Sequence, residues 1–234
     1  DSCLTLNNAN AKYVLIQNLT SAGTCFTVNA DNVTIDCSGH SINYSTSSGF
    51  GISVGPNGVV GNITVQSCVL YPGNLSASSQ YGIAYANTRD GLIKNNTIMT
   101  RGVNANNGIL LSESHNIAVE SNNISASGSG NYNYGIYFLK SNGSKAVNNT
   151  IVTNGTDHNY GFFAWSGMSL LLSNNNITTN GSSNRNYGIY IDNQSFNNVS
   201  NNKVITGGTD SNFGMLLYNT SNNIINANII SSNG

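Results

Sequence analysis

The sequence has very little charge. Only 7% of its 234 residues are Asp, Glu, Lys or Arg, and the formal net charge is −1. Proteins that bind nucleic acids or anionic membranes through electrostatics need clustered basic residues, so this class of function is excluded. The chain also lacks a run of 18 or more apolar residues, which a membrane-spanning helix would require. We therefore expect no nucleic-acid partner and no membrane span.

Helical periodicity is missing as well. No window of ten or more residues carries apolar side chains at helical spacing, and Gly and Asn, both poor helix formers, are abundant. The apolar residues occur in bursts of two to four, separated by Asn, Ser, Gly or Thr. Such bursts, rich in Ile, Val and aromatic residues with a period of two, are typical of short β-strands. The sequence therefore predicts an all-β protein.

What the sequence does contain is a repeat centred on glycine. In each copy an aromatic residue or Asn precedes the Gly and an apolar residue follows it, and the glycines are separated by 31, 26, 27, 26, 27 and 26 residues. They are Gly51, Gly82, Gly108, Gly135, Gly161, Gly188 and Gly214. A fixed period of this length indicates a repeat architecture. Three short strands per repeat favour a parallel β-helix over a propeller, whose blades need about 40 residues or more.

We predict one β-helical domain preceded by a cap. Residues 25–234 form about eight coils of 26–27 residues with three short strands each, and residues 1–24, which do not match the repeat, form the N-terminal cap. Stacked coils align like residues into columns. One predicted inward column is Phe26, Ile52, Ile83, Ile109, Ile136, Phe162, Ile189 and Met215. A second is Leu70, Ile98, Ile124, Ile151, Ile177, Val204 and Ile229.

Asparagine accounts for 44 residues, about a fifth of the chain. Two neighbouring polar columns are predicted between the second and third strands of each coil. The first is Asn95, Ser121, Asn148, Asn174, Asn201 and Asn226, and the second is Cys68, Asn96, Asn122, Asn149, Asn175 and Asn202. Stacked amides donate to and accept from the copies above and below, and Asn tolerates the left-handed conformation of sharp corners. We expect these columns to be structural.

All four cysteines lie in the first third of the chain, the last of them being Cys68, which favours an oxidising compartment. Stacked coils bring Cα atoms about 4.8 Å apart, within the reach of a disulfide. We prefer the pairs Cys3–Cys25 and Cys37–Cys68; two other connectivities are open, and buried free thiols are the alternative. The start at Asp1 rather than Met favours a removed signal peptide. These features predict an extracellular or cell-surface protein.

Fifteen Asn-X-Ser/Thr sequons occur, many of them accidental in a chain so rich in Asn and Ser. A secreted protein accepts N-glycans at exposed sequons. The candidate glycosylation sites are Asn18, Asn62, Asn74, Asn154 and Asn219. We favour Asn74 and Asn154, because we expect both on loops.

The repeat resembles a known family. Coils with Gly-Ile-X-Ile followed by Asn-Asn-X-Ile resemble the right-handed parallel β-helix repeats of the pectate-lyase-like superfamily. The segments Cys25-Phe26-Thr27-Val28 and 32–40, Asn-Val-Thr-Ile-Asp-Cys-Ser-Gly-His, are similar to the first coils of NosD-like surface proteins, many of them archaeal. The likeness covers nearly the whole chain. It implies a right-handed solenoid, and it is specific for fold rather than for function.

The resemblance implies enzymes that cleave acidic polysaccharides with Asp clusters, which bind calcium or act as acid and base. This sequence departs from that pattern, because its nine acidic residues are scattered. Asp157 and Asp210 share the loop edge with Arg101, His158 and Arg185, but lie two coils, about 10 Å, apart. A glycosidase pair lies about 5–9.5 Å apart, and no metal-ligand spacing occurs. We expect no catalytic residue, metal or cofactor, with a weak site at that edge as the alternative.

The outer side of the first strand in each coil is apolar where a solvated face would carry Thr, Ser, Asn or Lys. The predicted contact residues are Leu110, Tyr137, Leu139, Phe163, Trp165, Tyr190, Leu216 and Tyr218. An uncharged surface rich in aromatic residues marks a contact. Its partner is either a second copy of the chain or a sugar, and coverage by a loop of the same chain is the structural alternative.

Three functions remain open. The preferred one is an extracellular structural protein that self-assembles, end to end or laterally, into a filament, sheath or surface layer. The apolar stripe, the low charge and the stop at Gly234 without a charged lid motivate it. The second is a carbohydrate-binding surface module. The third is a polysaccharide lyase or hydrolase.

Overall fold

Residues 2–46 and 49–233, which the computed structural model describes, form a solenoid of parallel β-strands. Three sheets contain nine strands each, and a separate pair joins Val60–Gly61 to Thr88–Arg89. Each turn of the chain gives one strand to each sheet, so the fold is an all-β parallel β-helix, as predicted. Within this part of the chain there is no helix able to cross a lipid bilayer. The expectations attached to Asp1 and Gly234 lie outside the described residues.

The three sheets follow the same order along the solenoid axis. Sheet 1 contains Leu4–Leu6, Phe26–Val28, Ile52–Val54, Ile83–Ala86, Ile109–Ser112, Ile136–Leu139, Phe162–Trp165, Ile189–Asp192 and Met215–Tyr218. Sheet 2 contains Lys12–Val14, Thr34–Asp36, Thr64–Gln66, Leu92–Lys94, Ala118–Glu120, Lys145–Val147, Leu171–Ser173, Asn198–Ser200 and Ile224–Asn226. Sheet 3 contains Leu19–Thr20, Ser41–Tyr44, Val69–Pro72, Thr97–Thr100, Asn123–Ser127, Thr150–Gly155, Asn176–Gly181, Lys203–Gly207 and Ile229–Asn233.

The solenoid has nine turns rather than the eight expected. The leading segment, predicted to be a cap outside the repeat, supplies a strand to every sheet, and its Leu4 pairs with Phe26. Its turn is shorter, since the stacked Cys3 and Cys25 have a sequence separation of only 22, and it has no glycine at the repeat position. That is why the periodicity did not reveal it. It still lies over the turn of Phe26, where a cap was expected.

The predicted inward column of sheet 1 is confirmed residue by residue, from Phe26 through Ile136 to Met215. The column of sheet 3 is confirmed up to Val204, but its last member is Ile230 and not Ile229, which pairs with Lys203 on the outside. Each fully buried aliphatic or aromatic side chain in these columns stabilises the fold by about 1.5–3 kcal/mol. Together they make one continuous core.

The repeating glycines are needed because the backbone of sheet 1 approaches sheet 3 closely at its entry. A Cβ added to Gly135 would collide with the side chain of Ile151 and the carbonyl oxygen of Gly161 in the next turn. Gly82, Gly108, Gly161 and Gly188 face the equivalent side chain and carbonyl oxygen, and Gly214 faces the side chain of Ile230. Any larger residue would push two sheets apart, which explains why the repeat is centred on glycine.

The asparagine ladder between sheets 2 and 3 is present. In every rung except the last, an Asn side-chain NH2 donates to the side-chain oxygen of the Asn one turn later, at 2.9–3.0 Å, and in every rung it donates to a backbone carbonyl of the preceding turn. The rungs are Asn96, Asn122, Asn149, Asn175, Asn202 and Asn228. The exposed neighbouring column has left-handed φ values of 54–57° up to Asn201. It ends at Ala227 rather than the predicted Asn226, which aligns with Ser200 in sheet 2.

A second asparagine ladder, which the sequence analysis did not identify, precedes sheet 1. Asn106, Asn133, Asn159 and Asn186 are fully buried. Side-chain NH2 groups donate to the next side-chain oxygen at 2.9–3.0 Å, and the NH of Asn186 donates to Asn212 Oδ1 at 2.9 Å. The two ladders close the corners on either side of sheet 3.

The predicted disulfides are confirmed. Cys3 is bonded to Cys25 and Cys37 to Cys68, with Cα atoms 4.4 and 4.7 Å apart. Each bridge replaces a repeating feature in the first turns. Cys25 takes the position that glycine occupies in later turns, and Cys68 stands at the head of the first asparagine ladder, where its NH donates to Asn96 Oδ1.

Candidate functional site

The outer side of sheet 1 carries a continuous apolar surface, which we call the aromatic face. Its first column runs through Leu110, Tyr137, Phe163, Tyr190 and Leu216, which pair in register from turn to turn. A second column, two residues further along each strand, contains Leu139, Trp165, Asp192 and Tyr218. All eight predicted contact residues therefore lie on one surface, and one acidic residue, Asp192, interrupts it.

A third column of rings borders the face, formed by the aromatic residue that precedes six of the seven repeat glycines; Asn107 precedes the other one, Gly108. Its members are Phe50, Tyr81, Tyr134, Tyr160, Tyr187 and Phe213. The sequence analysis used these residues as repeat markers and did not assign them to the face. The available signal was their ring type at a fixed place before the glycine. In the structure Tyr134, Tyr160 and Tyr187 make edge-to-face contacts with the outward rings of sheet 1.

Neighbouring rings in these columns stack face to face. Tyr134, Tyr160 and Tyr187 have centroids 5.0 and 5.1 Å apart, while Phe163 lies 4.8 Å from Tyr137 and 5.0 Å from Tyr190. The two columns meet edge to face, for example at 5.4 Å between Tyr160 and Phe163. Such pairs contribute about 0.5–1.5 kcal/mol each beyond the buried area. The ring stacks thus bind consecutive turns together from outside the core.

This stacking determines which ring surfaces are available to a partner. The faces of Tyr160 and Tyr187 are covered by the rings above and below, and these residues are only 5% and 7% exposed. A partner meets ring edges there. Trp165 is 41% exposed and has no ring partner among residues 2–46 and 49–233. Tyr218, which is 56% exposed, likewise has no ring partner in the described ranges, so Trp165 and Tyr218 are the rings of this face that can offer a flat surface to a ligand.

The hydroxyls of the stacked tyrosines Tyr134, Tyr137, Tyr160 and Tyr190 remain neutral at physiological pH. Burial raises the pKa of Tyr137 to about 12. Burial, followed by the hydrogen bond from its hydroxyl to Asp192 Oδ2 at 3.0 Å, raises the pKa of Tyr190 to about 12 as well. Burial raises the pKa values of Tyr134 and Tyr160 further still. The face therefore presents apolar edges and uncharged hydroxyls.

Ion pairs lie on the outer side of sheet 2 and at the corner that follows sheet 1, where Lys140 Nζ lies 3.3 Å from Glu113 Oε1. Lys145 Nζ lies 2.7 Å from Glu120 Oε1, and Lys12 Nζ lies 3.3 Å from Asp36 Oδ2. Burial opposes ionisation of Asp36, but hydrogen bonds from Gln66 and the Ser38 NH, together with Lys12, lower its pKa overall. Lys12 thus holds Asp36 in an ion pair. The outer side of sheet 2 thus carries ion pairs, whereas the aromatic face carries rings and aliphatic side chains.

The loop edge brings together part of the predicted weak site. His158 Nδ1 lies 3.2 Å from Asp157 Oδ2, and its Nε2 lies 3.4 Å from Arg185 Nη1. Asp210 is two turns from Asp157, because Asn184 takes the position between them. Two turns span about 10 Å, which exceeds the spacing of a glycosidase pair. In the described ranges no group of three His, Cys, Asp or Glu side chains is placed to hold a metal ion.

The predicted glycosylation sites differ in how their amides are used. Nδ2 of Asn62 donates to Asn32 Oδ1 at 2.9 Å, and Asn18 Oδ1 accepts the NH of Ser41 at 2.9 Å. Asn219 is exposed at a corner. Asn74 lies on a loop as expected. The prediction that Asn154 lies on a loop was wrong.

The strand Thr150–Gly155 includes Asn154, because the third strand lengthens in this turn. Its Nδ2 donates to Ser127 Oγ at 3.1 Å. The sequence placed the strand end after Val152, at the last clearly apolar residue. Backbone pairing with both neighbouring strands nevertheless extends through the polar residues beyond it.

A family model described as a right handed beta helix region matches residues 2–177 and 103–234, and together these matches span nearly the whole chain. No curated protein matches the chain in sequence.

Several solved structures share the fold. The Dettilon tailspike protein is 13% identical, with a TM-score of 0.58, over 96% of this chain and 53% of its own. The Streptococcus pneumoniae surface protein and adhesin PfbA is 14% identical, with a TM-score of 0.55, over 96% and 67%. The enzymatically active domain of bacteriophage CBA120 tailspike protein 2 is 15% identical, with a TM-score of 0.54, over 91% and 41%. The chain spans about half of the first of these proteins, and likeness at this identity shows the fold alone.

Proposed function

This chain belongs to the right-handed β-helix family, and from that fold we propose that it is an extracellular structural protein whose aromatic face packs against another copy of itself. The assembly would be a filament, sheath or surface layer. The finer resemblance to NosD-like surface proteins belongs to this proposal. Two disulfides support an oxidising compartment. Structural neighbours described as a surface adhesin and as tailspikes support an extracellular location.

The observation that carries the proposal is the contrast between sheets 1 and 2. Both have an outer side, yet Lys and Glu side chains pair on sheet 2, whereas sheet 1 exposes ring edges, neutral hydroxyls and aliphatic groups. Interfaces between protein chains are enriched in aromatic residues and depleted of charge at their centre. Exposing a surface of this composition to water is unfavourable, and covering it lowers the free energy of the system. The ring edges recur once per turn of the solenoid, and a second copy of the chain presents rings at the same spacing, so the two faces can pack in register.

End-to-end stacking is a second route to the same assembly. Ile225 and Ile230 belong to the inward columns of the ninth turn and are 44% and 45% exposed. A further turn placed on this end, from the same polypeptide or from another copy, would bury them. Lateral packing through the aromatic face does not require any contact at this end.

The lateral contact is tested by placing charge at both ends of the face without disturbing the ring stacks. Leu110→Lys and Leu216→Lys are outward, partly buried positions that border the stacked rings. The double variant should remain folded and lose self-association, since two buried charges per copy would have to be desolvated without partners. Light scattering at increasing protein concentration measures the loss.

The matched control introduces the same charges on another sheet. Val152→Lys and Ile205→Lys also replace partly buried outward aliphatic side chains, in sheet 3, where Lys203 already occurs. This variant should associate as the wild type does. Equal association of the two double variants would contradict contact through the aromatic face.

A second candidate function, carbohydrate binding, is favoured by one residue. Trp165 offers an uncovered ring flanked by Leu139 and by the carboxylate of Asp192, an acceptor for sugar hydroxyls. Trp165→Ala should abolish binding to a glycan array while leaving the thermal midpoint nearly unchanged, because the ring is exposed. Binding that survives the substitution, or no binding by the wild type, would count against this candidate.

We also propose that the chain is not a polysaccharide lyase or hydrolase. The support is the separation of Asp157 from Asp210 by a full intervening turn and the use of Asp36, Glu113 and Glu120 in ion pairs. Turnover of pectin or alginate by the purified chain, with or without calcium, would overturn this.

A further inference from the structure

We propose that Asn193 is an N-glycan acceptor and that the ring of Trp165 seats the first sugar of that glycan. The inference rests on the extracellular location in the proposed function, because N-glycans are attached to exported proteins. It concerns a sequon, Asn-Gln-Ser at 193–195, outside those favoured from the sequence. It also assigns different partners to two parts of the aromatic face: a glycan to the exposed region around Trp165, and a second copy of the chain to the stacked rings.

The local geometry leaves the Asn193 side chain free. The residue follows the strand Ile189–Asp192 at a corner with φ of 51°, and its side chain is exposed. Within the described ranges neither amide atom of this side chain makes a hydrogen bond. The amides of Asn62 and Asn154, by contrast, donate to neighbouring side chains in the adjacent turn. A sugar on Asn193 displaces no existing interaction.

Two exposed rings flank the acceptor. Trp165, Asp192 and Tyr218 occupy the same position in successive turns, so Asn193, one residue further, lies diagonally next to both rings. The NH of Asn193 donates to the Tyr218 carbonyl oxygen at 3.0 Å, which fixes this placement. Trp165 and Tyr218 are 41% and 56% exposed. The turns are about 4.8 Å apart, which brings both rings within reach of the first sugar.

Within the described ranges neither Trp165 nor Tyr218 has a ring stacked on it, and Trp165 is the better seat because its indole offers the larger aromatic surface. The apolar face of a pyranose packs on an aromatic ring through dispersion and burial of apolar area. Tyr137, Phe163 and Tyr190 have at least one face covered by another ring. A glycan at Asn193 would cover the rim around Trp165 and leave the stacked rings for contact with another copy.

The neighbouring sequon at Asn219 competes for the same space. Asn219 occupies the same corner one turn later, also exposed and with φ of 49°. Corners one turn apart, about 4.8 Å, leave no room for two sugars side by side. Asn193 is flanked by an exposed ring on both sides, so we assign the glycan to it.

The modification is a substitution at an anomeric carbon. Nδ2 of Asn193 forms a bond to C1 of a sugar carried on a lipid-linked phosphate. The bond between C1 and the phosphate oxygen breaks, the phosphate leaves with the bonding electrons, and Nδ2 loses one proton. No oxidant or reductant takes part.

The test uses the fact that Trp165 is the only tryptophan in the chain, so intrinsic tryptophan fluorescence reports on this ring alone. The whole chain is secreted from a glycosylating eukaryotic host with a tag that carries one unstructured sequon. Peptide mass spectrometry gives the occupancy of each sequon. Acrylamide quenching is then compared for the native protein, the enzymatically deglycosylated protein, Asn193→Gln and the control Asn219→Gln.

We expect Asn193 to be occupied. Deglycosylation and Asn193→Gln should each raise the quenching constant about twofold, since a sugar on one face removes about half of the accessible ring surface. Asn219→Gln should change neither quantity. If Asn193 is unglycosylated while the sequon in the tag is occupied, Asn193 is not an acceptor and the proposal is wrong. If Asn193 is occupied but deglycosylation leaves the quenching constant unchanged, the first sugar does not pack on Trp165. The proposed self-association is tested separately, by the mass of the glycan-free protein in solution, and a mass that stays at that of one chain would contradict it.

Discussion

At the scale of single residues, the tyrosines of the aromatic face hold their protons unusually tightly. Burial raises the pKa values of Tyr137 and Tyr190 to about 12. Unfolding exposes both hydroxyls to water, where tyrosine ionises near pH 10. The folded state therefore binds more protons than the unfolded state between these two values. Uncharged hydroxyls at Tyr137 and Tyr190 at physiological pH are one consequence, and a definite dependence of stability on alkaline pH is another.

The free energy of unfolding should be independent of these tyrosines below pH 10. It should fall as the pH rises from about 10 to about 12, because the unfolded state loses the protons first. Tyrosinate absorbance followed against pH should show part of the tyrosines ionising near pH 12 in the folded protein. The same titration in concentrated urea should show one transition near pH 10. A single transition near pH 10 without denaturant would contradict the burial of these hydroxyls.

Single residues also show where sequence reasoning reaches its limit. Ile229 and Ile230 are both apolar, and only the length of the preceding corner decides which one points inward. The last turn pairs Val204 with Ile230, whereas a turn shorter by a single residue would select Ile229. A shift of one residue reverses the side of the sheet. Periodicity predicted the column but not the register of its last member.

At the scale of elements, the asparagine ladder joins the turns through buried polar groups. Asn149 Oδ1 accepts the NH and the side-chain NH2 of Asn122 at 2.9 and 3.0 Å. Its own NH2 donates to the carbonyl oxygen of Val119 and to Asn175 Oδ1 at 2.9 and 3.0 Å. One side chain thus satisfies groups in the preceding and the following turn and so links three turns. Buried polar groups left without a partner cost about 1–3 kcal/mol each.

Asn149→Ala should lower the free energy of unfolding by about 3 kcal/mol or more, because it leaves several of these groups unpaired in the interior. The control is the adjacent Asn148→Gly. Asn148 is exposed with φ of 57°, and glycine adopts this conformation without strain, so little change is expected. Urea unfolding of both variants measures the difference. Similar midpoints for the two would contradict the structural role of the ladder.

The two ladders were not equally predictable. The ladder with Asn149 follows an apolar strand at constant spacing, so the Asn-Asn pairs stood out. The ladder with Asn133 follows loops of unequal length, and its residues were interpreted as loop ends. Its signal was present as Asn at two residues before the repeat glycine in turns 5 to 9. The aromatic residue that lies between this Asn and the glycine in most turns was used as the marker of the repeat, and the Asn itself was not recognised as a column.

At the scale of the whole molecule, the solenoid is stabilised by contacts between adjacent turns. Cooperativity in such repeats spreads from neighbour to neighbour rather than through one central core. The two disulfides join the first three turns only, since Cys37 and Cys68 lie in turns 2 and 3. The asparagine ladder and the ring stacks join the later turns. Stability is thus supplied by different means at the two ends.

Replacing Cys37 and Cys68 by Ser should cost about 2–4 kcal/mol and act locally. Hydrogen exchange should accelerate in strands Thr34–Asp36 and Val69–Pro72, while strands Thr150–Gly155 and Asn176–Gly181 keep their protection. Uniform loss of protection along the solenoid would contradict nearest-neighbour stabilisation. The single substitutions are less informative, because each leaves a free thiol.

The fold of the whole molecule was predictable because the same side chains recur at a nearly constant spacing, as from Ile136 to Phe162 to Ile189. The shorter first turn was not recognised as part of the solenoid, because it carries no repeat glycine. The aromatic face was located by the alternation of strand residues, but the stacking of its rings was not. Ring stacking depends on side-chain angles that spacing does not determine. The partner of the face lies outside the chain, and this is why its identity is a proposal.

The claim on which the proposed function depends is that the aromatic face contacts a second copy. The most direct measurement is light scattering of the glycan-free wild-type chain over a wide range of concentrations. The proposal predicts an average mass that rises with concentration above the 24.6 kDa of one chain. A mass that stays at that of one chain at the highest concentration would contradict it.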